Sequence, residues 1–142
     1  MTMQIGDDLS LIEPDFHDGF LRGILVDAND NLTLTCSDGE KGKTYQIKVP
    51  NIEYLYAENF RQGNIIFNIY FFVGSQSSTD LLRKASGMGD PQFQAAFESL
   101  VKRVSNERWL TINIIPSYGC DLIGVAKCSL DSVVIAPYEG NQ

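Results

Sequence analysis

The run Gly63-Asn64-Ile65-Ile66-Phe67-Asn68-Ile69-Tyr70-Phe71-Phe72-Val73 decides how the rest of the chain is read. β-Branched and aromatic residues at this density form a strand. Only Asn68 interrupts the run after Asn64, so the strand is expected to be covered on both faces. The alternative is an edge strand, Ile65 to Val73, that pairs with a second copy of the chain, because such an edge left open would aggregate.

Working back from this run, Ile52 to Phe60 is aromatic-rich and reads either as a strand or as an irregular cover. Tyr45, Ile47 and Val49 alternate with polar residues and stop at Pro50, which suits a strand end. Leu32, Leu34 and Cys36 alternate with Thr33 and Thr35, the period of a half-buried strand. Phe20 to Val26 forms its hairpin partner across the turn-rich cluster Asp27 to Asn31. Ser37 to Lys43 is a charged, glycine-containing loop tip. Residues 1–15 are polar, acidic and broken by Pro14, and read as an irregular lead-in.

Working forward, residues 74–90 read as a loop with a short turn at Leu81-Leu82. Asp90-Pro91 then opens a helix near residues 91–105, with Asp90 as N-cap and Pro91 at the first position. Phe93, Phe97, Leu100, Val101 and Val104 recur at helical spacing and form its apolar stripe. Trp109 to Ile115, Leu122 to Ala126 and Val133 to Ile135 are further strands. Strands, one main helix and more strands give one α+β domain over residues 1–142. Its sheet is expected to be mostly antiparallel, a meander that can curve as far as a barrel.

Charge limits the function classes. The net charge is −7, and residues 1–18 hold Asp7, Asp8, Glu13, Asp15 and Asp18 without a Lys or Arg. Nucleic acids and anionic membrane surfaces reward basic patches, so neither is expected as partner. A basic protein or a cationic ligand is favoured as partner. No apolar stretch reaches the ~20 residues that cross a bilayer, and no secretory signal is read at the start. A cytoplasmic chain with reduced Cys36, Cys120 and Cys128 follows as the expectation. The sequon Asn31-Leu32-Thr33 then belongs to a hairpin.

Few residues invite chemistry. His17 is the single histidine, and Asp18 beside it could hold its tautomer. With Ser117 or Cys120 as nucleophile these two would make a small hydrolase. Adjacent residues seldom face each other, however, and a local turn explains His17-Asp18-Gly19 as well. The G-x-S-x-G elbow is missing at Ser117, since position 115 is Ile115. Pro116 to Cys120 reads more simply as a turn. A zinc site would need Cys36, Cys120, Cys128 and His17 to converge without any C-x-x-C pair, so no metal and no cofactor are expected. Gly87-Met88-Gly89 lacks the lysine and preceding strand of a phosphate loop. Tyr54, Tyr56 and Tyr118, together with Tyr138, lie near loops or strand ends, where tyrosine serves as a contact residue.

Phe16-His17-Asp18-Gly19, followed by an apolar strand and Asn31-Leu32-Thr33-Leu34, resembles the start of small bacterial β-rich proteins. These open a β-meander with an F-H-D-A or H-D-G segment; some are immunity-protein-like and many have no assigned function. The resemblance covers residues 16–50. It implies a small cytosolic bacterial protein that binds a toxin. Three functions are therefore carried forward: a non-enzymatic protein-binding module, a small hydrolase using His17, and a self-associating module.

Overall fold

The computed structural model describes residues 3–39 and 42–138. The first two residues of the lead-in, Glu40-Lys41 of the loop tip and the last four residues lie outside these. The elements in chain order are β1 (Gln4–Ile5), β2 (Leu11–Glu13), β3 (Phe20–Val26), β4 (Leu32–Ser37), β5 (Thr44–Val49), β6 (Ile52–Glu58), β7 (Asn64–Val73), α1 (Thr79–Ser86), α2 (Gln94–Asn106), β8 (Leu110–Tyr118), β9 (Asp121–Ala126) and β10 (Val134–Pro137). Eight strands form one antiparallel sheet in the order β10-β5-β4-β3-β7-β8-β9-β6. The α+β class and the antiparallel sheet are as the sequence implies.

The sheet does not close into a barrel, since β10 and β6 end it without pairing. It does curve strongly. A β-carbon on Gly124 of β9 would stand 3.6 Å from the Leu32 side chain of β4 and 2.9 Å from Ile112 of β8. One core fills this concave side, with Leu21, Leu34, Ile47, Ile66, Phe71, Ile112 and Leu122 all nearly sealed from solvent. A second core lies on the other side of β8 and β9. There Leu82 of α1 and Phe97, Leu100 and Val104 of α2 cover Ile123 and Val125.

This division corrects the reading of the most apolar run. β9 is covered on both faces, as is β8 over residues 110–114: Leu122 to Ala126 are all buried, alternate side chains going to the two cores. β7 buries Asn64, Ile66, Ile69 and Phe71, while Ile65, Asn68, Tyr70 and Phe72 are half-buried and Phe67 is exposed. Nor is β7 an edge. It lies between β3 and β8, and beyond its short pairing with β3 the N-terminal segment bonds to it, Phe71 N–H donating to Leu9 O.

The lead-in is ordered where it read as irregular. β1 and β2 pair as a small hairpin. Its turn closes because the Asp8 carboxylate accepts from both Ser10 N–H and Ser10 Oγ. Leu11 and Phe16 join the concave core. Residues 79–86 form a helix rather than a loop. Ser78 Oγ accepts from Leu81 N–H at its start, and Gly87, at φ 72°, ends it. Helix α2 begins later than expected, because Pro91–Phe93 forms a 3-10 turn and Asp90 makes no side-chain cap. Residues 52–58 are a strand, paired with β9. β8 runs on through Pro116 to Tyr118, register shifts accommodating the proline, and the turn shrinks to Gly119-Cys120.

Candidate functional site

Two turns from distant parts of the chain meet backbone to backbone. The first is Phe16-His17-Asp18-Gly19. Phe16 is buried edge-on against Tyr45, with ring centroids 5.5 Å apart. Asp15 Oδ1 accepts from His17 N–H, and Gly19 N–H donates to Phe16 O. Asp18 N–H then donates to Ile66 O, and Ile66 N–H to Gly19 O, which joins the turn to β7. The second turn is Ser37-Asp38-Gly39 at the end of β4. A β-carbon at Gly19 would lie 2.0 Å from Ser37 O, and one at Gly39 2.7 Å from His17 O. Both positions therefore require glycine. An alanine would not fit at position 19.

Between the turns lies a cleft of about 340 Å³, lined by Glu13, Asp15, His17, Asp18, Asp38, Lys43 and Tyr45. Among the described residues the lining thus holds four carboxyl groups and one lysine. His17 Nδ1 is 2.8 Å from Phe67 O, so Nδ1 carries the proton and donates it. Nε2 faces Asp18 Oδ2 at 3.6 Å. The hydrogen bond to Phe67 O, followed by the charges of Asp18 and Asp15, raises the His17 pKa above its ordinary value. Chemically, the cleft offers carboxylates to a cation.

Among the described residues no hydrogen bond joins His17 to Ser117 or Cys120. Both ring nitrogens of His17 are turned to Phe67 and Asp18. Ser117 lies exposed in β8. Cys120 is buried, its N–H donates to Asn64 Oδ1, and its thiol points to Asp121 O at 3.6 Å. Burial raises the Cys120 thiol pKa, which disfavours the nucleophilic thiolate. Cys36 is pushed up to about 12 and Cys128 to about 11, also by burial. Among the described residues no three His, Cys, Asp or Glu side chains are grouped to hold a metal ion. Among the same residues no helix is long and apolar enough to cross a membrane.

The tyrosines separate. Tyr54 and Tyr56 lie half-buried on β6, packed against the helix-side core. Tyr56 OH donates to Glu58 Oε2, and Lys84 of α1 reaches both Glu58 and Asp121 at 3.8 Å. Tyr118 remains 52% exposed. It belongs to an apolar face that the sequence reading did not single out. Phe20, Ile65 and Tyr118 stand in register across β3, β7 and β8. Phe67 (46% exposed) and Ile115 (38% exposed) lie one row further along. The available signal was an excess of apolar residues in β7, more than one covered face needs. The His17 ring meets Phe67 edge-on at 5.4 Å, so the acidic cleft and this face adjoin.

No family model, curated protein or solved structure matches this chain.

Proposed function

We propose that this chain is a non-enzymatic binding module that acts by holding a basic protein partner, in the manner of an immunity protein that masks a toxin. The observation that carries this reading is the cleft that, among the described residues, Glu13, Asp15 and Asp18 line together with one lysine, Lys43. A lysine or arginine side chain entering it exchanges water for several carboxylates at once. Each exposed ion pair is worth only about 0–1 kcal/mol, so affinity needs the set together and further contacts beside it. The excess of negative charge also steers a basic partner toward encounter and raises the association rate.

The test is capture from the native host's lysate, at about 50 mM and about 500 mM salt, which bracket strong and weak screening. The bait is the chain itself, with Asp15→Asn/Asp18→Asn as control. Asparagine keeps the Oδ1 acceptor for His17 N–H, so the turn is preserved. A stoichiometric basic protein, held at low salt by the native chain and lost from the variant, supports the reading. Retention of no protein, or equal retention by both baits, removes it.

A further inference from the structure

We propose that the uncovered outer face of β3, β7 and β8 is the apolar half of the same binding surface, and that it takes an amphipathic segment of the basic partner. The proposal rests on the binding reading above and names the segment's chemistry: an apolar ridge against Phe67 and Tyr118, with lysine or arginine side chains reaching the Asp15–Asp18 turn.

The sheet is treated unequally by the rest of the chain. Helices α1 and α2 cover its outer side over β9 and β6. Over β3, β7 and the far end of β8 the same side has no cover among the described residues. Phe67, Ile115 and Tyr118 are 46%, 38% and 52% exposed there. Single exposed apolar side chains are ordinary, but a contiguous group on one sheet face marks an interaction surface. The register makes the group contiguous, because Ile65 pairs with both Phe20 and Tyr118, and Asn68 pairs with Ile115.

Charge selects the occupant. His17 joins the two halves of the surface, its ring against Phe67 and its Nε2 toward Asp18. Asp15 lies beside it, bonded to His17 N–H. At the other side of the face Arg22 stands over the Phe20 ring at 4.5 Å, so cationic groups of an occupant are directed to the His17 side. A second copy of the chain would bring a net charge of −7 against −7, and is the poorer fit.

The test uses two synthetic helical peptides of equal positive charge, one with leucine and lysine at helical spacing, the other with alanine replacing leucine. Binding is read by fluorescence anisotropy at about 100 mM salt, where charges more than ~10 Å apart are screened. The leucine peptide is expected to bind at least tenfold tighter than the alanine peptide. Tyr118→Ser is expected to reduce that advantage and leave alanine-peptide binding unchanged. Ile115→Ser reads the same face should that variant fail to fold. Equal binding of both peptides overturns this proposal and leaves the acidic cleft standing. Binding of neither peptide removes both readings. A dimer seen by light scattering, dissolved by Phe67→Ser, gives the face to a second copy and likewise overturns the proposal.

Discussion

His17 Nδ1 lies 2.8 Å from the carbonyl oxygen of Phe67, fifty residues along the chain. This bond ties the N-terminal turn to β7 where its register with β8 shifts, between Ile66 and Asn68. It sets the proton on Nδ1, points Nε2 to Asp18, and brings the acidic cleft against the aromatic face.

The His17 contacts make stability depend on pH. Its pKa is raised above 6.5, chiefly by the bond to Phe67 O and next by Asp18. A raised pKa means that the folded state holds the proton more tightly than the unfolded state. The added stability is fully present below 6.5, and it is lost as pH rises through the folded-state value. Histidine NMR titration, simplified by there being one histidine, is expected to give a pKa above 6.5 that falls in Asp18→Asn. The stability gap between the native chain and His17→Ala, from urea unfolding, should be widest in acid and narrow toward pH 8. A gap that widens with pH would contradict this.

Gly19 is fixed by contact rather than by dihedral freedom. Its missing β-carbon leaves room for Ser37 O, which would otherwise lie 2.0 Å away. Gly19→Ala must therefore separate the two turns, at an expected cost of about 3 kcal/mol or more. Gly63, at φ 80° with open space around its β-carbon position, is the control. There alanine costs only the left-handed conformation, about 1–2 kcal/mol. Thermal or urea unfolding of the two variants checks the order.

Asn64 holds three parts of the chain together. It is 1% exposed. Its Oδ1 accepts from Arg61 N–H at 2.7 Å and Cys120 N–H at 3.1 Å. Its Nδ2 donates to Arg61 O and Leu21 O. Asn64→Ala leaves buried groups unpaired on β3 and on the turn after β8. At about 1–3 kcal/mol for each group stranded away from water, a loss of roughly 3–4 kcal/mol is expected. Asn64→Asp keeps the acceptor, loses both donations and places a charge in the core, so it should be no better. Urea unfolding reads both.

The parts of this fold that the sequence shows are those set by local period. β3 and β4 follow from the alternation Leu32, Leu34, Cys36 and from the Asp27–Asn31 turn. The stripe Phe97, Leu100, Val104 marks α2. Helix α1 was hidden because Ser77, Ser78 and Thr79 read as loop, although Ser78 and Gly87 are its two caps. The covering of β7 on both faces is not what the structure shows, because cover depends on where the helices land. That placement is a tertiary outcome: β5 and β6 are joined by Pro50-Asn51, yet lie six positions apart in the sheet order. The site is split in the same way. His17-Asp18-Gly19 is visible as a turn, but Asp38, Lys43 and Tyr45 reach it only through the β4–β5 hairpin.

The cleft's affinity for a cation is tested most directly by titrating the isotope-labelled chain with tetralysine and following backbone amide shifts. Saturable shifts confined to residues 13–18 and 38–45, abolished at about 500 mM salt where the screening length falls below ~5 Å, are expected. Shifts centred elsewhere, or none up to millimolar tetralysine, would contradict a cation-binding cleft at His17 and Asp18.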